Sequence, residues 1–199
     1  MQHSATKVSL SKEEYELVND AQILLTKNEI IGKVYAMFGS LAEQYVAEVK
    51  DILPVDIIQK SPKISRGENY EGLPYVMLDY PRHFLKDDTF AIRTFFWWGN
   101  FFSITIQLSG ISYQQLLPKL LEAAQKNLLD DWFVSVHENK WLHHFRETNY
   151  VVSSGNDLMN TLQQEDTLKL AKKIPLSEWD NVSIFLEENF TFLISILKS

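Results

Sequence analysis

Apolar residues recur at helical spacing near the start of the chain. Residues 11–51 contain no proline, and Ser11 with Glu14 forms the Ser-x-x-Glu pattern of a capping box. The pattern predicts a short first helix, a break, and a second helix over residues 28–51. Gly39 leaves open whether the second helix is continuous or broken.

Strand-forming residues dominate the middle of the chain. Residues 73–80 are the best strand candidate of a proline-rich stretch, and residues 90–98 and 101–109 are two further β-rich runs. Gly99-Asn100 separates these two runs, and a Gly-x pair favours a type II′ hairpin because glycine accepts a positive φ at the first central position. The sequence therefore predicts an aromatic hairpin at the centre of a sheet.

A two-residue loop would fix the register of this hairpin, with Trp98 facing Phe101. Because strand side chains alternate between faces, the more apolar face is predicted to be the core face. Under this register the core face carries Trp97, Phe102, Phe95, Ile104, Arg93, Ile106, Ala91 and Leu108, and the opposite face carries Trp98, Phe101, Phe96 and Ser103.

The remainder of the chain predicts further short elements. Residues 132–137 alternate as a strand whose partner could be residues 140–145, while residues 156–164 and 166–173 look like short helices. Ser177 is predicted to cap a long C-terminal helix.

Strands flanked by helices without regular β-α alternation predict an α+β fold. The expected architecture is an antiparallel sheet with a central aromatic hairpin, packed against N-terminal helices and a long C-terminal helix. We expect residues 1–10 to be a flexible N-terminus and residues 11–199 to form a single domain.

Composition narrows the possible partners. The 199 residues have a net charge of −7 and a pI of about 5.2, so nucleic acid is an unfavourable partner. The absence of cysteine excludes disulfides, thiol nucleophiles and cysteine metal sites, and fits a cytoplasmic location. No secretory signal begins the sequence, and polar residues interrupt its longest uncharged stretch, so no membrane association is expected.

No linear motif identifies a reaction. The sequence contains no phosphate loop, dinucleotide fingerprint, zinc-protease helix, calcium loop or nucleophile elbow. The sequence therefore predicts no cofactor and favours a protein that is not an enzyme, although many catalytic sites leave no linear trace.

Polar residues at the end of the first predicted strand are candidates for ligand binding. Arg82 and His83 could hold an anion, and Asp79 could act as a base; the alternative is a solvated turn. Arg93 is predicted to lie on an apolar face, where its charge must be paired or must face a cavity. An ion pair with Asp79 is the favoured interpretation, and a clamp for an acidic ligand is the alternative.

Three histidines lie close together in the sequence at positions 137, 143 and 144. His143 and His144 would point to opposite faces of a strand, so they could not easily bind one ion. We expect no metal site and interpret this segment as a wet loop with exposed histidines.

The hairpin is predicted to carry aromatic rings on both faces, so the face that the core does not cover needs a helix, a ligand or another chain. Trp98, Phe101 and Phe96 are the expected interface residues. The first hypothesis is a non-catalytic protein-binding module, with a homodimer as the simplest case. The alternative is a small-molecule-binding protein or enzyme whose pocket lies between sheet and helices and includes Arg93.

Overall fold

A seven-stranded antiparallel sheet organises residues 8–198, the part of the chain that this computed structural model describes. The strand order is β1-β2-β3-β4-β7-β5-β6, which places the β3–β4 hairpin near the centre. The strands are β1 (Lys63–Tyr70), β2 (Leu73–Phe84), β3 (Thr89–Trp97), β4 (Phe101–Ser109), β5 (Phe133–Ser135), β6 (Tyr150–Val152) and β7 (Thr167–Pro175).

Helices pack against one face of this sheet, here called the helix face. The structure confirms an α+β fold with a long C-terminal helix. The helices are α1 (Lys12–Asn19), α2 (Ala21–Val49), α3 (Val55–Ile58), α4 (Gly110–Gln125), α5 (Gly155–Gln164) and α6 (Val182–Lys198), with a 3₁₀ helix at Leu176–Asn181 before α6. The main core lies between α2, α4, α6 and the apolar side chains of the central strands.

The long helix α2 differs from its predicted bounds. The predicted break before residue 28 is wrong, because neither glycine nor proline interrupts the chain there and the helix runs continuously from Ala21 to Val49. The break lies instead at Asp20, whose carboxylate accepts a hydrogen bond from the backbone N of Gln22 at 2.9 Å. Gly39 causes no interruption. The predicted capping box of Ser11 and Glu14 is confirmed at α1.

The predicted register of the hairpin is wrong by one residue. Trp97, not Trp98, pairs with Phe101, because the loop holds three residues rather than two. The backbone N of Asn100 donates to the carbonyl of Trp97 at 3.0 Å, and Gly99 in the middle of the loop has a φ of +70°. A shift of one residue exchanges the faces of one strand relative to the other.

The corrected register gives the true core face. Phe96 pairs with Phe102 and packs under the helices, while Phe95 pairs with Ser103 on the opposite face of the sheet. The predicted core set therefore mixed residues from both faces. The residues that belong on the helix face are Phe90, Ile92, Thr94 and Phe96 of β3 with Phe102, Ile104, Ile106 and Leu108 of β4.

Two further predicted elements are replaced by others. Residues 166–173 do not form a helix: residues 167–173 belong to β7, in which Leu168 and Leu170 face the core while Lys169 lies between them. Residues 140–145 are not a strand, and β5 pairs instead with β6 and β7. The predicted helix at residues 156–164 is present as α5.

The division of the chain at residue 10 stays a prediction. Residues 1–7 and 199 lie outside the described part of the chain, and residues 8–10 precede the first helix without regular structure.

Candidate functional site

The sheet face opposite the helices is crossed by residues 136–149, a segment without helix or strand that we call the strap. The phenolic oxygen of Tyr70 on β1 accepts hydrogen bonds from the backbone N atoms of His143 and His144, at 2.7 and 3.2 Å. Asn149 at the other end of the strap donates to the carbonyls of His144 and Leu142, at 2.6 and 3.3 Å. The strap is therefore tied to β1 through Tyr70 and braced internally by Asn149.

Under the strap, Arg93 forms the predicted ion pair with Asp79. The two residues are paired across β2 and β3, and the guanidinium donates from Nε to Oδ1 at 2.6 Å and from Nη2 to Oδ2 at 2.9 Å. The side chains are only 13% and 10% exposed. Both carboxylate oxygens are thus engaged by one guanidinium, in the two-bond geometry that arginine favours.

His143 of the strap contacts the Arg93–Asp79 ion pair. Its Nε2 lies 3.2 Å from Nη1 of Arg93, so the ring accepts a hydrogen bond from the guanidinium when Nε2 carries no proton. Burial and the charge of Arg93 lower the pKa of His143 well below its ordinary value. The imidazole therefore serves here as a neutral acceptor.

Lys169 is a second buried cation of the same face, and sequence analysis missed it. Its side chain is nearly inaccessible, and Nζ donates to the backbone carbonyls of Lys140 (2.8 Å) and Leu142. Burial and the nearby Arg93 lower its pKa to about 7. The leucines on either side of Lys169 were the available signal, because period-2 alternation puts it opposite the core.

Aromatic rings occupy the remainder of the strap-covered face. Phe95 and Trp97 are buried, and Phe145 of the strap contacts Phe101 edge to face at a centroid distance of 5.0 Å. Phe145 also stacks on Tyr150 at 4.6 Å. The strap thus covers the rings that the helices leave free.

The predicted interface residues are largely covered within the chain. Phe96 is 1% exposed on the helix face and Phe101 is 8% exposed under the strap. Trp98 is half-buried in the hairpin loop and packs against the main core. The expectation that these three rings share one open face is therefore wrong; whether the hairpin tip contacts another chain stays a prediction.

Arg82 and His83 do not join Arg93 and Asp79 in a hydrogen-bonded group. Nε of Arg82 donates to the carbonyl of Ser61 at 2.7 Å. Nε2 of His83 lies 3.1 Å from Oδ2 of Asp88. Both side chains have partners within the chain, and their binding of a ligand stays a prediction.

The histidines of the strap are not the exposed group that the sequence suggested. His144 is 6% exposed, and its Nδ1 has no hydrogen-bond partner among residues 8–198. Nδ1 of His137 accepts from the backbone N of Asn139 at 2.9 Å. Within the described residues, no group of three histidine, aspartate or glutamate side chains is placed to hold a metal ion.

The space beside Arg93 and His143 under the strap is small. A cavity lined by Phe84, Arg93, Gln107, His143 and Lys169, among others, has a volume of about 10 Å³, enough for about one water molecule. No organic ligand fits it while the strap is in place. The polar groups of this face therefore mainly satisfy one another.

The opposite situation is found in residues 8–30, which we call the arm: the chain before α1, α1 itself and the first ten residues of α2. None of its residues is buried; only Lys27 and Ile30 are partly covered. Lys27 forms an ion pair with Glu68 of β1, which ties α2 to the edge of the sheet. On the N-terminal side of Lys27, α2 extends for about two more turns, or roughly 10 Å.

Apolar side chains are concentrated on this arm. Eight of the eighteen large apolar side chains that are exposed among residues 8–198 lie there. Exposures run from 45% at Ile23 to 87% at Val8. The eight are Val8, Leu10, Tyr15, Leu17, Val18, Ile23, Leu24 and Leu25. Scattered exposed apolar residues are normal, whereas a large exposed apolar patch is typical of an interaction surface.

Comparison with protein-family models, with curated proteins and with solved structures finds no match to this chain. Among residues 8–198, no helix combines the length and the apolar character that crossing a membrane requires.

Proposed function

We propose that this protein is a non-catalytic interaction module whose arm binds another protein chain. The observation that carries the proposal is the arm itself, where eight large apolar side chains on and before two helices are exposed within the described part of the chain. Each such side chain forgoes up to about 2 kcal/mol of burial free energy while it stays in water. A partner that covers several of them gains this free energy on binding.

The strap-covered face supports a non-catalytic role. A catalytic site needs polar groups that can reach a substrate. Arg93, Asp79 and His143 instead bind one another, and Lys169 binds two backbone carbonyls. A small-molecule site at Arg93 would need the strap to move away, and nothing in the contacts of the strap favours that movement.

Site-specific photo-crosslinking in the cells that produce the protein tests the proposal. A benzophenone amino acid replaces Leu24 on the arm, which is 61% exposed, or Ile111 at the start of α4, which is 63% exposed. The two positions match in exposure and differ in location. We expect a discrete protein adduct from position 24 and none from position 111.

The mass of the adduct identifies the kind of partner. A different protein or a second copy of this chain would each support an interaction module, and the latter would show a homodimer formed through the arm rather than through the hairpin tip. The proposal is contradicted if position 24 yields no adduct, or if both positions yield the same mixture of adducts.

A further inference from the structure

The arm contains a groove between its two helices. Leu17 of α1 and Ile23 of α2 form its apolar floor, 57% and 45% exposed. Glu13, Glu16 and Asp20 line it as well, and its volume is about 370 Å³. The groove is large enough for one or two side chains, and its described lining contains no basic residue.

Charge distinguishes among the possible occupants. Residues 8–30 hold five carboxylates and two lysines, a net charge of −3. Lys27 is engaged with Glu68, and Lys12 lies 3.8 Å from Glu16. Glu13 has no hydrogen-bond or ion-pair partner among the described residues. The field at the groove is therefore negative.

A second copy of the chain that paired arm to arm would bring another acidic arm to this groove. Like charges that face each other across an interface oppose association, whereas opposite charges favour it. A partner segment with an apolar side chain between basic residues would pack that side chain on the apolar floor and place its positive charges beside the carboxylates of the groove. This complementarity is the reason to prefer a basic partner over a second copy.

We propose that the arm groove receives an amphipathic helix of a partner protein, with an apolar side chain seated on Leu17 and Ile23 and flanking lysines or arginines beside the rim carboxylates. The inference rests on the proposed function and names the chemistry of its partner. Binding of one amphipathic helix on the apolar face of others is a common mode of recognition.

The test is calorimetric titration of the full chain with a synthetic helical peptide of about 18 residues, long enough to form a helix, built from leucine, alanine and lysine. A matched peptide has glutamate in place of every lysine. We expect the basic peptide to bind and the acidic peptide not to bind. A result in which both bind equally, or neither binds, overturns the inference.

Variants of the protein locate the binding. The double substitution of Glu13→Gln and Glu16→Gln should lower the affinity for the basic peptide about fivefold at low salt. The loss of affinity should be smaller at high salt. The double substitution of Leu17→Gln and Ile23→Gln should lower the affinity for the basic peptide about tenfold at either salt concentration. The control, Glu178→Gln with Glu188→Gln, removes two exposed carboxylates outside the arm and should leave affinity unchanged.

The outcomes separate this inference from the proposed function. An equal loss in the control variant would show non-specific charge attraction and overturn the inference. Sedimentation of the wild type as a dimer that Leu17→Gln with Ile23→Gln dissociates would overturn it in favour of a second copy, while the interaction module would stand. Absence of a crosslink at position 24 would instead contradict the function itself.

Discussion

Beneath the strap, a buried arginine, histidine and lysine find hydrogen-bond partners within the chain, whereas the arm exposes eight large apolar side chains to solvent. The cavity beside the arginine and the histidine has room for about one water molecule, and the lysine, which also lines a more open cavity of about 230 Å³, is held by two backbone carbonyls. The residue types that suggest only packing lie on the arm, where the described part of the chain leaves them exposed. Availability, rather than residue type, separates a structural group from a binding surface.

The two regions should also differ in what a substitution changes, the free energy of unfolding or the binding of a partner. Substitutions under the strap should change the free energy of unfolding, because they leave buried polar atoms without partners. Substitutions on the arm should change association and leave the free energy of unfolding nearly constant, because they remove no buried contact.

The largest expected effect comes from Arg93→Met, which leaves the Asp79 carboxylate buried without its cation. Removing one member of a buried ion pair costs about 3–5 kcal/mol. We expect a loss of that size in urea unfolding. The control Arg82→Met removes a hydrogen bond to a backbone carbonyl and should cost about 1.5 kcal/mol. Equal losses in the two variants would mean that the pair under the strap is not specially buried.

The second effect is a pH dependence from Lys169. Its pKa is about 7 in the folded chain and about 10.5 when unfolded. Between these values the unfolded state binds more protons, so the free energy of unfolding should rise with pH, by up to about 1.4 kcal/mol per pH unit. In Lys169→Met this contribution disappears.

The window for this measurement is pH 7 to 9. Above about pH 10 the buried tyrosines act in the opposite direction, since burial raises the pKa of Tyr113 to about 12 and the unfolded state then loses the proton first. Parallel pH profiles of wild type and Lys169→Met would show that the amine is not desolvated in the folded chain.

The smallest effect is expected on the arm. Leu24→Gln keeps a residue of similar helix propensity at a position that is 61% exposed, so the free energy of unfolding should change by less than about 0.5 kcal/mol. Ile31→Ala, seven residues further along the same helix face and 5% exposed, should cost about 2–5 kcal/mol. A large loss in Leu24→Gln would show that the arm belongs to the folded core.

Local patterns were enough to predict the fold class and several elements. The repeat at Ile31, Phe38 and Tyr45 marks the buried face of α2, and the Asp79–Arg93 pair follows from the demand that a buried charge be matched. The hairpin register could not be settled in the same way. A glycine in the turn suits loops of two or three residues, and that difference decides which face of each strand is buried.

The site was harder to predict because its contacts are distant in sequence. Tyr70 meets the strap more than seventy residues later, and Lys169 meets it from the other side. No local sequence pattern predicts either contact. The sequence of residues 166–173 predicts a helix because lysine, leucine and alanine favour helices. In the structure, residues 167–173 instead belong to β7, which pairs with β4 on one side and with β5 on the other.

One experiment can decide whether the arm or the strap-covered face binds the partner. Backbone amide NMR of the full chain during titration with the basic peptide compares the two regions in one experiment. We expect chemical-shift changes concentrated in residues 12–25, with the amides of Arg93, His143 and Lys169 unchanged. Changes concentrated at those three amides, with the arm unaffected, would contradict this expectation.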